Sequence, residues 1–135
     1  MIAFFDTSVH IDILRGDLHV ADVLERVQGG PVRLSPVVAS ELLRGASGKA
    51  ARAIERLASS LVPIEPPSWR NAWLEAGRIL PKAFASYEHI GLARLQNDVL
   101  LALTARHTGA VLVSRDAHFR AIQRHVRFSA LVISL

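Results

Sequence analysis

Short apolar segments alternate with helical patterns along this chain of 135 residues. Five such segments are predicted as β-strands, over residues 2–5, 32–34, 61–64, 110–114 and 131–133. Short strands that lack a polar face are typical of a parallel sheet covered by helices on both sides. The alternation therefore predicts an α/β fold with three layers, α/β/α, around a central, mainly parallel, short-stranded sheet. The length fits a single domain over residues 1–135.

Helical patterns occupy the intervals between these strands. The sequence Asp-Thr-Ser at residues 6–8 is typical of a helix N-terminus, and this helix is predicted to end near Gly16. Ser35 is expected to cap a later helix that has Pro36 in its first turn. The remaining helices are predicted over residues 18–27, 37–44, 49–61, 68–80, 91–107 and 116–124, with residues 82–90 as a connection.

The composition excludes several kinds of site and favours one kind of partner. The chain has no cysteine, which excludes disulfides, thiolate zinc sites and a cysteine nucleophile, and which is compatible with a reducing cytosol. Residues 1–6 contain no basic leader, and the apolar stretches are too short to cross a bilayer, so we expect a cytoplasmic protein without a membrane segment. The net charge of +4 comes from 14 Arg and 2 Lys against 12 acidic residues. Arginine binds phosphate in a bidentate way, so this balance favours a nucleic acid.

Two acidic residues follow predicted strands. Asp6 comes directly after the first strand, and Asp116 lies two residues beyond the strand at 110–114. Parallel sheets bind ligands outside the carboxyl ends of their strands, so both carboxylates enter one crevice if these two strands are neighbours. The alternative is that each aspartate only caps the helix that it precedes.

Asp98 lies on an apolar helical face. At 100° per residue it shares this face with small or apolar residues such as Gly91, Leu95 and Ala102. An ionised carboxylate in such a place costs roughly several kcal/mol unless a cation compensates it. The alternative is an ion pair with Arg94, four residues earlier, that would draw Asp98 toward water.

Glu41 completes a set of four acidic residues on four separate segments. It lies one helical turn after Val37 and leans toward the buried side, although a surface pair with Arg44 is the alternative. Four carboxylates brought together would raise one another's pKa values. Divalent cations relieve this repulsion, and oxygen ligands favour Mg²⁺ or Mn²⁺ over Zn²⁺. The chemistry that follows is the hydrolysis of phosphodiester bonds.

Four motifs carry a resemblance to a known family. They are FDTS at residues 5–8, SELLRG at residues 40–45, NDVLLA at residues 97–102 and SRDAHF at residues 114–119. In this order they resemble the four acidic signatures of PIN-domain nucleases, and the spacing is most similar to that of the VapC toxins of bacterial toxin–antitoxin pairs. The resemblance spans essentially the whole chain, and NDVLLA is its most specific motif.

The resemblance implies a site, a reaction and a partner. It implies that the first strand and the strand at 110–114 lie side by side, and that Thr7 and Ser114 supply hydroxyl groups beside the metal ligands. It also implies an endoribonuclease that uses Mg²⁺ or Mn²⁺, cuts structured RNA such as tRNA or rRNA, forms dimers and is silenced by a VapB antitoxin. The implied metal-binding and catalytic residues are Asp6, Glu41, Asp98 and Asp116, of which Asp6 and Asp98 are the most direct ligands.

His118 departs from the family pattern, which often has an acidic residue at this position. It is interpreted either as a surface residue or as a Mn²⁺ ligand or phosphate contact. Basic residues at helical spacing are either RNA contacts or a solvated face: Lys49, Arg52, Arg56, Arg120 and Arg124. The larger aromatic residues are expected in the core or at a partner interface: Trp69, Trp73 and Phe84.

One alternative function remains open at this point. A chain with the same fold could bind RNA or a protein partner without cleaving anything. Retention of all four acidic residues favours the enzyme over this non-cleaving module.

Overall fold

A computed structural model describes residues 1–85 and 91–134. A four-stranded sheet has the order β2-β1-β3-β4, and every neighbouring pair is parallel. The strands are β1 (Ala3–Phe5), β2 (Val32–Arg33), β3 (Val111–Ser114) and β4 (Ala130–Val132). The helices are α1 (Thr7–Leu14), α2 (Val20–Arg26), α3 (Pro36–Arg44), α4 (Gly48–Ser60), α5 (Trp69–Ala83), α6 (Leu92–Thr108) and α7 (Phe119–Gln123).

The central pair of strands is β1 and β3. Phe4 lies opposite Leu112, and Phe5 lies opposite Val113. Both strands are buried along their whole length, as their apolar sequences predict. The predicted adjacency of the first strand and the strand at 110–114 is therefore confirmed, and the carboxyl ends of both strands meet at one edge of the sheet.

Alternate residues of these strands enter two separate apolar clusters. Phe4 and Leu112 pack with residues of α3, α4, α5, α6 and α7. Phe5 and Val113, one residue further along each strand, pack with residues of α1 and α2. Successive side chains of a strand point to opposite faces, so this division places helices on both sides of the sheet. The predicted three-layer α/β/α fold is confirmed.

The strand predicted at residues 61–64 is wrong. This segment forms only an isolated parallel bridge, in which Pro63 lies opposite Leu34. The amide of Leu34 donates to the carbonyl of Val62 at 3.1 Å, and Ile64 donates back to Leu34 at 3.0 Å. Both bonds are made by the residues that flank Pro63, so the missing N–H of this proline does not limit the pairing. The bridge stays single because α3 begins at Pro36, directly after Leu34 and Ser35.

Two helix boundaries also differ from the prediction. Helix α5 continues through Pro81 to Ala83, and the amide of Phe84 still donates to Leu80 at 3.0 Å. The hydrogen bond that closes the last turn does not involve the nitrogen of Pro81, so this turn survives. Helix α7 begins at Phe119, because residues 116–118 form a turn that positions Asp116. Part of the predicted connection, residues 86–90, lies outside the described residues.

The predicted cap of α3 is confirmed. The hydroxyl of Ser35 accepts a hydrogen bond from the amide of Val37 at 3.2 Å, and Pro36 lies in the first turn. This cap fixes the start of the helix that carries Glu41.

Among the residues described, we find no helix with the length and apolar character needed to span a bilayer.

Candidate active site

All four predicted acidic residues line one cavity of about 240 Å³. The cavity lies where β1 and β3 end, as expected for the carboxyl edge of a parallel sheet. Five segments contribute to it: the residue after β1, helices α1, α3 and α6, and the turn after β3. Its lining consists of Asp6, Thr7, Ser8, Ile11, Glu41, Arg94, Asp98 and Asp116.

Asp6 has two structural roles at once. Its Oδ1 atom accepts hydrogen bonds from the Ser8 hydroxyl at 2.7 Å and from the Val9 amide at 3.3 Å, so Asp6 caps α1. Its Oδ2 atom accepts a hydrogen bond from the Ser114 hydroxyl. The Ser114 oxygen in turn accepts from the amide of Asp116 at 2.9 Å. Capping and participation in the cavity therefore coexist, and Ser114 links the two strand-end acids.

Glu41 is positioned by a hydroxyl from α1. The Thr7 hydroxyl donates to Glu41 Oε1 at 2.9 Å, across 34 residues of sequence. The surface pair with Arg44 exists only at 3.9 Å, and the Arg44 side chain is 64% exposed. Ion pairs this exposed contribute little to stability, so Thr7 is the partner that determines where Glu41 points.

Asp98 is buried on α6, as its apolar face predicts. Its Oδ2 atom contacts His118 Nε2. The ion pair considered between Asp98 and Arg94 is not the one that forms, because Arg94 reaches Asp116 instead, at 2.6 Å from Nη2 to Oδ2. Residues four apart on a helix are neighbours, but the turn after β3 presents a closer and more exposed carboxylate to Arg94.

His118 joins two of the acids. Its Nδ1 atom lies 2.6 Å from Asp116 Oδ1, while Nε2 contacts Asp98. The ring stacks on Phe119 with centroids 5.2 Å apart and meets the edge of Phe84 at 6.2 Å. The side chain is only 13% exposed, so the interpretation of His118 as a surface residue is wrong. The turn at residues 116–118 folds the imidazole back over the cluster.

The titration of the cluster reflects burial and crowding of like charges. Burial raises the pKa of Asp98, His118 opposes this shift, and the charges of Asp6 and Glu41 add to it. Burial also raises the pKa of Asp6, against three hydrogen bonds that lower it, and the charge of Asp116 adds to the increase. For His118, burial lowers the pKa, but the contact with Asp98 and the charges of both aspartates outweigh it, so that pKa rises.

A further buried carboxylate supports the site from outside the cavity. Asp12, on α1, is buried and forms an ion pair with Arg115, the residue between Ser114 and Asp116. The two partners are 103 residues apart in sequence. The pair therefore joins α1 to the turn that positions Asp116. Nothing in the local sequence pattern identifies so distant a partner, so this pair could not be predicted.

Replacing Arg115 by Met is expected to lower the free energy of unfolding by roughly 1–2 kcal/mol, because it leaves the carboxylate of Asp12 buried and unpaired. This loss of stability is smaller than that expected for a fully buried pair, since the Arg115 side chain is 34% exposed. Urea denaturation of Arg115→Met, Asp12→Leu and the double variant measures the coupling. The double variant should be nearly as stable as the wild type. If its loss of stability equals the sum of the losses in the two single variants, the two residues do not interact.

The predicted RNA-contacting residues do not line the acidic cavity. Lys49, Arg52 and Arg56 are exposed on α4, and the last two line a separate surface pocket of about 430 Å³. Arg120 and Arg124 are exposed on and just after α7. The cavity instead contains Arg94, which sequence analysis had considered only as a partner for Asp98.

The aromatic residues fall into three settings. Trp69 donates its indole N–H to Glu65 Oε1 at 2.9 Å, at the start of α5. Trp73 is exposed on the same helix. Phe84 is half-buried and contacts His118. Phe84 thus belongs to the surroundings of the cluster.

The chemistry of the donors suits a divalent cation. Four carboxylates supply hard oxygen ligands, and their mutual repulsion would be relieved by positive charge. In the side-chain arrangement described for residues 1–85 and 91–134, no three acidic or histidine groups converge closely enough to hold a metal ion. Arg94 and His118 already pair with Asp98 and Asp116. A metal ion at Asp98 or Asp116 would compete with these partners.

Comparisons with known proteins identify the fold and the family of this chain. Comparison with curated protein sequences finds no match. Among solved structures, the chain is similar to VapBC-1 from nontypeable Haemophilus influenzae, with 22% identity and a TM-score of 0.69 over 98% of each chain. It is also similar to VapBC2 from Rickettsia felis, solved with a bound DNA fragment from the VapBC2 promoter. The identity is 19% and the TM-score is 0.66, over 99% of this chain and 100% of that chain.

A third similar structure is FitAcB from Neisseria gonorrhoeae, with 22% identity and a TM-score of 0.60 over 97% of this chain and 96% of that chain. At such identities these likenesses establish a shared fold. The profile of the PIN domain matches residues 3–125, which is most of the sequence. This chain belongs to the PIN domain family.

Proposed function

We propose that this protein is a metal-dependent endoribonuclease of the VapC type, which hydrolyses phosphodiester bonds in structured RNA such as tRNA or rRNA. The observation that carries the proposal is that Asp6, Glu41, Asp98 and Asp116 all line one cavity. These residues come from four segments of the chain, and a fold has no structural need to bring four carboxylates together.

The four carboxylates would hold Mg²⁺ or Mn²⁺, with Asp6 and Asp98 as the most direct ligands. Such a cation, when bound, lowers the pKa of water and stabilises negative charge on a leaving oxygen. Thr7 and Ser114 orient the ligands, because their hydroxyls donate to Glu41 and Asp6. These hydrogen bonds orient the carboxylates of Glu41 and Asp6 before any substrate arrives.

The partners follow from the same proposal. The similar solved structures are toxin–antitoxin complexes, and they match nearly the whole length of this chain. This supports a VapB-type antitoxin as partner, a homodimer or a toxin–antitoxin hetero-oligomer as the assembly, and the cytoplasm as the location. The exposed basic residues of α4 and α7 would guide the RNA backbone: Lys49, Arg52, Arg56, Arg120 and Arg124.

A non-cleaving module that binds RNA or protein is the second candidate. The observation in its favour is that Arg94 and His118 pair with the acids, and that within the described ranges no three ligands converge. Internal cations of this kind would stabilise an acidic cluster without any metal.

An RNA cleavage assay distinguishes the two candidates. Unfractionated tRNA and rRNA are incubated with the protein in Mg²⁺ or Mn²⁺, and the new RNA ends are mapped. The proposal predicts discrete cuts that disappear in the Asp6→Asn variant. RNA that is bound but left intact under all conditions would support the non-cleaving module.

A further inference from the structure

Arg94 is the one cationic side chain that lines the acidic cavity, among the residues that the structure describes. It lies in the first turn of α6, one helical turn before Asp98. Its Nη2 atom is 2.6 Å from Asp116 Oδ2, yet the side chain is 57% exposed. The guanidinium therefore sits at the mouth of the cavity, where an incoming substrate would pass.

The two basic side chains of the cluster differ in their freedom to move. His118 contacts two carboxylates and is packed against Phe84 and Phe119, with only 13% of its side chain exposed. Within the described part of the chain, Arg94 has a single polar partner, Asp116. If Arg94 changed its partner, it would lose one exposed ion pair, and such a pair contributes little to stability. If His118 changed its partners, it would lose buried contacts.

We propose that Arg94 binds the substrate, exchanging Asp116 for a phosphate group of the RNA when a divalent cation occupies the carboxylates. The inference rests on the proposed function. A cation held by Asp116 would compete with the guanidinium for that carboxylate, and the long, exposed side chain of Arg94 lets its head group swing outward. The planar fork of arginine matches two phosphate oxygens.

The charge of the cavity explains why such a residue is needed. Four carboxylates repel a phosphodiester as well as one another, and burial raises this cost because the local dielectric is low. A bound divalent cation neutralises part of this charge. A guanidinium released at the same moment adds a positive donor at the entrance, so metal binding and RNA binding reinforce each other.

Two measurements on Arg94→Ala test the inference, because it predicts opposite changes in them. Binding of unfractionated tRNA, measured with Ca²⁺ in place of Mg²⁺ to prevent cleavage, should weaken about tenfold. The slope of log affinity against log salt should fall by ~0.7–0.9, the value of one phosphate contact. Binding of Mn²⁺ to the RNA-free protein, followed by electron paramagnetic resonance, should tighten about threefold, because a competing cation is gone.

Two control variants accompany the test. Arg106→Ala removes an exposed arginine from the last turn of the same helix, roughly 18 Å away at 1.5 Å per residue, and should leave both affinities unchanged. Arg94→Lys keeps the charge without the planar fork, so its affinity for tRNA should lie between those of the wild type and Arg94→Ala.

The outcomes separate this inference from the proposed function. Weaker tRNA binding together with tighter Mn²⁺ binding supports the role of Arg94, even if the wild type cuts none of the RNAs supplied. If the wild type cleaves RNA but Arg94→Ala binds tRNA as Arg106→Ala does, the inference is overturned and the proposed function stands. A joint loss of both affinities would show that Arg94 only maintains the fold, and a wild type that binds no Mn²⁺ would overturn both.

Discussion

Replacing Asp98 by Asn is expected to slow RNA cleavage by on the order of 10³-fold or more while leaving the protein folded. Asp98 is buried on α6, and its carboxylate lines the cavity that would hold the metal ion. Asparagine keeps the shape of the side chain and removes the charge. The ligand that the proposed function needs most is then lost without a change in packing.

Stability should respond differently from activity. In EDTA we expect the free energy of unfolding of Asp98→Asn to lie within about 1 kcal/mol of the wild-type value. The loss of the pairing with His118 is offset because an ionised carboxylate is no longer buried. Saturating Mn²⁺ at 100 times its Kd should stabilise the wild type by about 2.7 kcal/mol and the variant by much less.

A matched control makes this result specific. Asp22 is exposed on α2, outside the acidic cavity, so Asp22→Asn should retain wild-type cleavage and the wild-type response to Mn²⁺. Initial cleavage rates and melting temperatures of the three proteins are the measurements. Cleavage by Asp98→Asn within tenfold of the wild type would mean that this carboxylate is not a metal ligand.

His10 is expected to make the protein sensitive to acid. The side chain is buried on α1 beside Phe5, and its Nε2 atom has no hydrogen-bond partner among the described residues. Burial lowers the pKa of His10 to about 4 from its ordinary value of 6.5. Between these two values the unfolded chain binds a proton that the folded protein does not, so stability falls as the pH falls.

The size of this effect follows from the two pKa values. The free energy of unfolding should fall by ~2 kcal/mol between pH 7 and pH 5, and by ~3 kcal/mol once the pH nears 4. His10→Leu removes the titrating group from an apolar site, so its stability should depend less on pH and exceed that of the wild type at pH 5. Urea denaturation at pH 7, 6 and 5 measures the difference.

The control for His10 is another histidine. His125 is exposed just after α7, and His125→Gln should keep the wild-type loss of stability in acid. Other groups of the cluster also titrate, so the comparison is made between variants at each pH. Identical pH profiles for the wild type and His10→Leu would show that His10 does not destabilise the folded protein in acid.

The features that could be predicted from sequence are those that local periodicity encodes. The apolar segments around Phe4 and Leu112 predict buried parallel strands, and Asp98 is recognisable because its helical face is otherwise apolar. The meeting of Asp6 and Asp116 follows once their two strands are known to be neighbours. That adjacency is a property of the whole fold, and the family resemblance supplied it.

The features that were missed depend on contacts between distant segments. Residues 61–64 look like a strand by composition, but their partner segment ends at Leu34 because α3 begins at Pro36, so only one bridge forms. The partner of Arg94 could not be inferred, because helical spacing favours Asp98 while the turn after β3 supplies Asp116. His118 likewise enters the cluster through the path of that turn.

A titration of the metal-free wild type with Mn²⁺ tests the central claim most directly, if the bound Mn²⁺ and the rate of RNA cleavage are measured in the same samples. The proposed function predicts that cleavage is absent in excess EDTA and rises in parallel with metal occupancy. It also predicts that Asp6→Asn and Asp98→Asn lose both signals. RNA cleavage that persists in EDTA, or Mn²⁺ binding that is unchanged in both variants, would contradict the assignment of this cavity as the metal centre of a nuclease.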